Sequence, residues 1–135
     1  MQALSKARQR ISHEAFLNLF RISADEYYKH NKNIALWNGS HIYAVDRSTI
    51  QIPVSEENLK SFGYNPNKSE KDTPLACILA LYDITNDILV EVHLKPYRFN
   101  ERDSAKIHMD YLPDFPNSIV IFDRGYPSED LFRFL

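Results

Sequence analysis

Cysteine and glycine are both scarce in this sequence. The single cysteine, Cys77, lies inside the apolar stretch LACILALY, so the chain forms no internal disulfide. This cysteine is expected to be a small buried core residue, and its isolation fits a reducing compartment. The chain has only three glycines and no Gly/Ser-rich or repetitive segment. That composition excludes a flexible linker and a repeat array.

Long apolar runs are also missing. No window approaches the roughly 18 apolar residues of a membrane span, and the first residues, MQALSKARQRI, lack the apolar region of a secretory signal. We therefore expect a soluble cytoplasmic protein without a membrane partner.

An excess of positive charge is absent as well. The formal net charge is -2 and the isoelectric point is near 6.2, so any contact with nucleic acid must rely on a local basic patch. The clearest such patch is SKARQR, which contains Lys6, Arg8 and Arg10. A short basic run of this kind is more often a solvated helix face than a binding surface.

The chain has the length and the balance of hydrophobic and charged residues of an ordinary globular domain. It contains 135 residues, of which 44% are hydrophobic and 25% charged, enough to bury a single core. Helical periodicity over the first 32 residues predicts one or two amphipathic helices, the longer of which has Ser12 as its N-cap. The dipeptide Asn38-Gly39 then predicts a turn before the first strand.

The remainder alternates strand and helix signals. Residues 54–73 are polar and turn-rich, so they are predicted to form a long surface excursion. The other predicted elements are a strand in HIYAVDRSTIQIP, a hairpin of LACILALYDI and ILVEVHLKPY around TND, a helix in ERDSAKIHMDYL, a strand in SIVIF that looks buried on both faces, and a last helix opened by Pro127 and Ser128.

This order predicts an α/β fold with a mixed sheet. Three strands followed by a crossover helix and a fourth strand allow the first and fourth strands to be neighbours. Asp46 follows the apolar residues IYAV on the first strand, and Asp123 follows IVIF on the fourth. We therefore expect the two carboxylates to converge.

Two converging carboxylates repel each other unless a proton or a cation intervenes. Mg²⁺ prefers hard oxygen ligands, so a divalent metal resolves the conflict, with Mn²⁺ as a substitute. The alternative is that each aspartate only stabilises a turn at a strand end. The five histidines, in contrast, show no spacing typical of metal ligands.

The segments around these aspartates resemble a known family. YAVDRSTIQIP and IVIFDRGYPSEDLFRFL are similar to the two aspartate-bearing strands of bacterial insertion-sequence DDE transposases, and ALSKARQRISHEAFLNLF resembles the helical segment before them. The resemblance implies a helical lead-in over residues 1–36. It also implies that residues 37–135 are the N-terminal part of an incomplete ribonuclease-H-like catalytic core.

The resemblance further implies roles for particular residues. Asp46 and Asp123 match the first two metal-binding acids, and DNA contacts would come from Arg124 and from the basic run of Lys6, Arg8 and Arg10. The implied partners are transposon-end DNA and target DNA, with Mg²⁺ as cofactor for DNA cleavage and strand transfer.

The third acid of the family has no match in this chain. It is a glutamate on a later helix within a Tyr, Arg, Glu, Lys signature, whereas Tyr97, Arg98, Glu101 and Lys106 precede Asp123 and are too closely spaced. We therefore expect little or no strand transfer from this chain alone. It could instead be a non-catalytic remnant, or could bind and interfere with a full-length transposase.

A second class of enzyme shares one feature with the first strand. AVDRSTI resembles the nucleophile strand of haloacid-dehalogenase-like phosphotransferases. Those enzymes usually carry a second acid two residues after the first, where this chain has Ser48. The long helical lead-in also disfavours this alternative.

Overall fold

The computed structural model describes residues 6–8, 10–66, 73–126 and 129–134. The chain divides into two compact units, Met1–Ile34 and Ala35–Leu135. None of the described helices combines the length and the apolar character that crossing a lipid bilayer requires.

The first unit contains one long helix, α1, over His13–His30. Ser12 caps it as predicted, because its side-chain oxygen accepts the N–H of Ala15 at 3.4 Å. Glu14 lies in the first turn and Lys29 in the last, which is the arrangement that the helix dipole favours.

The second unit is built around a four-stranded sheet. Its elements are β1 (His41–Gln51), α2 (Glu56–Phe62), β2 (Leu75–Asp83), β3 (Ile88–Pro96), α3 (Glu101–Met109), β4 (Ser118–Phe122) and α4 (Glu129–Phe134). The strand order is β3-β2-β1-β4. β4 runs parallel to β1, and the other two pairings are antiparallel. The predicted α/β class and the predicted contact between the first and fourth strands are confirmed.

Two turns with the predicted chemistry organise this sheet. Asn38 and Gly39 have φ values of 50° and 79°, as a two-residue hairpin turn requires, and the backbones of Trp37 and Ser40 pair across it. The hairpin between β2 and β3 is closed by Asp83, whose buried carboxylate accepts the N–H groups of Thr85 and Asn86, each at 3.0 Å.

One face of the sheet carries the core. Tyr43 and Val45 of β1 lie on this covered face with Leu79 and Leu81 of β2, and all four are buried. Helix α3 packs against β1 and β2, and Ala105 in the helix is fully buried. The hydrophobic effect therefore fixes which face of β1 points inward.

The opposite face of the sheet is only partly covered, and we call it the open face. Ile119 is 40% exposed and Ile121 is 48% exposed on β4, and Leu94 on β3 is 51% exposed. The prediction that SIVIF is buried on both faces is therefore wrong. A continuous apolar run indicates a strand whose two faces can both be covered, and here only one face is.

Two other boundaries differ from the predictions. The surface excursion over residues 54–73 contains helix α2, which begins after Ser55 and ends at Gly63. The predicted helix ERDSAKIHMDYL ends at Met109, before Leu112. The predicted start of the last helix at Pro127 and Ser128 lies outside the described residues.

Candidate functional site

The parallel pairing of β1 and β4 brings Asp46 and Asp123 to equivalent positions on neighbouring strands. The last pair in the register joins Val45 to Phe122, and each aspartate is the next residue along its strand direction. Adjacent strands lie about 4.8 Å apart. The pairing thus brings the backbone positions that lead into the two acids side by side, as the topological argument predicts.

Both carboxylates are exposed to solvent. Asp46 lies on the open face, because Val45 before it is buried on the covered face and side chains alternate along a strand. Among the described residues, the carboxylate of Asp46 makes no hydrogen bond or ion pair. Solvent exposure therefore moderates the repulsion between the two acids, which would be far larger in a buried site.

Asp123 is held by the turn that follows β4. Its Oδ1 accepts the N–H of Arg124 at 2.6 Å, and its backbone carbonyl accepts the N–H of Tyr126 at 3.1 Å. The second carboxylate oxygen has no partner in the part of the chain that the structure describes. Each aspartate therefore presents oxygen atoms that remain available to a cation.

Three polar residues near the two aspartates have side chains without partners among the described residues. Arg124 is exposed and forms no ion pair with any described acid. The hydroxyl groups of Ser48 and Thr49 make no hydrogen bond within the described ranges, to Asp46 or to any other group. Arg124 is thus free to meet a phosphate, and Ser48 lies beside Asp46 on the open face.

The predicted basic run belongs to the first unit. Lys6, Arg8 and Arg10 are all exposed, as expected of a solvated surface. Glu129, a poor candidate for a third acid on sequence grounds, forms an ion pair with Arg133 one turn later in α4 at 2.5 Å. Helix geometry accounts for that pair.

No third acid joins the pair among the described residues. In those ranges, no group of three or more His, Cys, Asp or Glu side chains is arranged to hold a metal ion. The structure thus provides two carboxylates of the type that Mg²⁺ prefers, but not a complete coordination shell.

Sequence reasoning missed Arg47, whose side chain connects β1 to β2 and to the segment that follows β3. Arg47 lies on the covered face, where its Nε donates to the Sγ of buried Cys77 at 2.7 Å. Its Nη2 donates to the backbone carbonyl of Tyr97 at 2.6 Å. The alternation of side chains along β1 was the available signal, since it sends residues 46 and 47 to opposite faces.

A buried polar cluster at α3 was also missed. His108 and Ser104 lie one turn apart and are both fully buried, while Glu91 of β3 is 1% exposed. The ring centroids of His93 and His108 are 5.6 Å apart, and His93 Nε2 lies 3.7 Å from Glu91 Oε1. Burial, with a smaller contribution from His93, lowers the pKa of His108 to about 4. Its helical position beside apolar residues gave no sign of these contacts.

Comparison with known proteins identifies a relative. A protein described as "Putative transposase InsZ", from Escherichia coli (strain K12), is 29% identical over 131 residues. The match covers 96% of this chain and 43% of the relative, so the chain spans less than half of that protein's length. No family model and no solved structure matches the chain. The chain is therefore related to a protein that is described as a putative transposase.

Proposed function

We propose that this chain is part of the catalytic core of a DDE transposase, a protein that cleaves and joins DNA with the help of Mg²⁺. The observation that carries the proposal is the position of Asp46 and Asp123. They directly follow a register pair on parallel neighbouring strands, with both carboxylates exposed. A likeness to a protein described as a transposase over 96% of the chain supports the same conclusion.

The sheet supports a ribonuclease-H-like fold for this core. Its antiparallel strands β1, β2 and β3 follow one another along the chain, and β4 returns parallel to β1 on the other side. That order places the two aspartate-bearing strands side by side, as the resemblance implies. The 43% coverage of the relative is consistent with a core whose remaining ligand lies in further chain.

The residues present fit a divalent cation in part. Asp46 and Asp123 would each offer carboxylate oxygens, and the family's third acid, a glutamate, would have to come from outside the described residues. A bound Mg²⁺ supplies charge neutralisation at a DNA phosphate and activation of water. Arg124, which is exposed and unpaired with any described acid, would contact the DNA backbone beside this site.

DNA is the partner that this function requires. Transposon ends and target DNA would both approach the edge of the sheet where β1 and β4 carry their aspartates. A DNA substrate also implies a cytoplasmic site of action. No group of three or more His, Cys, Asp or Glu side chains among the described residues is arranged to hold a metal ion, so we expect the isolated chain to have little or no strand-transfer activity.

Calorimetric titration with Mn²⁺ tests the shared metal site. We expect weak binding to the intact chain, and loss of that binding in Asp46→Asn and in Asp123→Asn, since each change removes one anionic ligand. Asp114→Asn is the matched control, because Asp114 is an exposed loop acid without a partner in the described ranges. It should bind Mn²⁺ as the unmodified chain does.

Two results of this titration would contradict a shared metal site. If all three variants bind Mn²⁺ as the unmodified chain does, or if no binding occurs at all, Asp46 and Asp123 do not share a metal site in this chain. A transposase-related protein without metal chemistry would then be favoured, such as one that binds a longer transposase.

A further inference from the structure

Asp123 lies beyond the part of β4 that the sheet holds. Phe122 is the last residue of β4 paired with β1, and Asp123, Arg124 and Gly125 after it are all exposed. Sheet hydrogen bonds therefore fix the backbone only as far as Phe122. A metal-binding carboxylate must be held to within about 0.5 Å of its working position, so another group must fix Asp123.

Tyr126 is the residue that meets this requirement. It is only 2% exposed, although the three residues before it are at the surface. Its ring centroid lies 5.7 Å from that of Phe122, and its N–H donates to the carbonyl of Asp123 at 3.1 Å. The exposed turn is thus closed at both ends by aromatic residues that contact each other.

We infer that Tyr126 is a positioning residue, whose buried ring fixes the turn that holds the carboxylate of Asp123 beside Asp46. This inference rests on the proposed function of the two aspartates. Burial of a tyrosine side chain is strongly favourable, so the ring acts as an anchor on the covered side of the sheet. The hydrogen bond from the Tyr126 N–H to the Asp123 carbonyl then fixes the backbone of Asp123. The N–H of Arg124, which donates to Oδ1, fixes the orientation of the carboxylate.

Amide hydrogen exchange by NMR tests the anchor without any metal. In Tyr126→Ala, the amides of Arg124 and of residue 126 should exchange about tenfold faster, because the two hydrogen bonds that protect them open more often. Tyr126→Phe keeps the ring and should retain protection. Leu131→Ala is the matched control, since Leu131 in α4 is also 2% exposed and its replacement removes core packing while the ring of Tyr126 is kept.

Mn²⁺ affinity of the same variants is the second measurement. Tyr126→Ala should weaken binding about 10-fold to 100-fold, the usual effect of losing an outer-shell support, whereas Tyr126→Phe and Leu131→Ala should bind within a few-fold of the unmodified chain. If Tyr126→Ala does not fold, Tyr126→Leu replaces it, since leucine preserves apolar burial without the aromatic contact to Phe122.

The two measurements separate the possible failures. Unchanged exchange at Arg124 in Tyr126→Ala overturns the positioning role, whatever the metal does. Faster exchange in Leu131→Ala as well would also overturn it, because any loss of core packing would then have the same effect. If exchange behaves as expected but the unmodified chain binds no Mn²⁺, the anchor stands and the proposed function fails.

Discussion

At the scale of single residues, the most unusual side chain is His108. It is fully buried in α3, and neither ring nitrogen has a hydrogen-bond partner among the described residues. The titratable groups that face it are Glu91 and His93 on β3. Burying a polar ring without partners costs free energy, so this histidine weakens the contact between α3 and the sheet.

The lowered pKa of His108 gives stability a defined dependence on pH. The ring is neutral in the folded protein down to about pH 4, whereas in the unfolded chain it takes up a proton near pH 6.5. The folded state is therefore fully favoured above about pH 6.5 and loses stability as the pH falls towards about 4. The loss should be on the order of 2 kcal/mol.

His108→Leu should remove this dependence. Chemical denaturation at several pH values should show that the free energy of unfolding of the variant falls less between about pH 6.5 and 4 than that of the unmodified chain. At neutral pH the variant should be as stable as the unmodified chain or more so, because two unsatisfied nitrogens disappear. His13→Ala, at a side chain that is 89% exposed, should leave the pH profile unchanged. An equally steep profile in His108→Leu would contradict the role of this histidine.

The positions of the two aspartates could be predicted from the sequence, whereas the surroundings of this histidine could not. Asp46 and Asp123 were predictable because each follows an apolar strand, and strand order alone brings them together. His108 depends instead on which helix face packs on the sheet and on the side chains of β3 that face it there. Such contacts are set by tertiary packing, which one helical period does not specify.

At the scale of elements, α2 shows how a short helix can be fixed by its caps. Ser55 Oγ accepts the N–H of Asn58 at 3.1 Å at the start, and Gly63 ends the helix with φ 79° and ψ -172°. The carbonyl of Phe62 then accepts the N–H of Tyr97, and the carbonyl of Gly63 accepts the N–H of Leu75. These bonds attach α2 to the ends of β2 and β3.

Gly63→Ala should destabilise the protein through the backbone alone. A methyl group at this position would meet no atom within 4 Å, but the conformation is one that only glycine adopts readily, so the cost should be about 1 to 3 kcal/mol. Denaturant unfolding measures it. Ser61→Ala in the same helix is the control and should be nearly neutral, since Ser61 is exposed. A neutral Gly63→Ala would show that the turn relaxes.

The sequence predicted the sheet better than α2 for a physical reason. Strands β1, β2 and β3 have lengths and β-branched or apolar residues that indicate strands directly. Helix α2 has seven residues, of which none is buried, so no apolar period marks it. Its caps were the only signal, and in a polar segment a serine and a glycine also fit a loop.

At the scale of the whole molecule, the second unit has one covered and one open sheet face. Parallel strands are normally covered on both faces, and β1 and β4 are parallel. The open face nevertheless presents Ile119 and Ile121 at 40% and 48% exposure. The prediction that SIVIF is buried on both faces was wrong because an apolar run shows only that a strand can be buried. It does not show which other elements cover the strand.

This open face should bind hydrophobic dye and promote self-association of the isolated chain. β4 is also an edge of the sheet as described, and an apolar edge strand is a site at which chains pair. The double variant Ile119→Thr/Ile121→Thr should lower both dye fluorescence and the associated fraction in sedimentation. Threonine retains the β-branch, so the free energy of unfolding should change by less than about 1 kcal/mol.

Val120→Thr provides the matched control on the same strand. Val120 pairs with Tyr43 on the covered face and is only partly exposed, so its replacement buries a hydroxyl group and should cost about 1 to 2 kcal/mol. Dye binding of the folded protein should not fall in this variant. If the double variant instead retains full dye binding while Val120→Thr loses it, the apolar surface in solution lies on the other side of β4, and the assignment of covered and open faces is reversed.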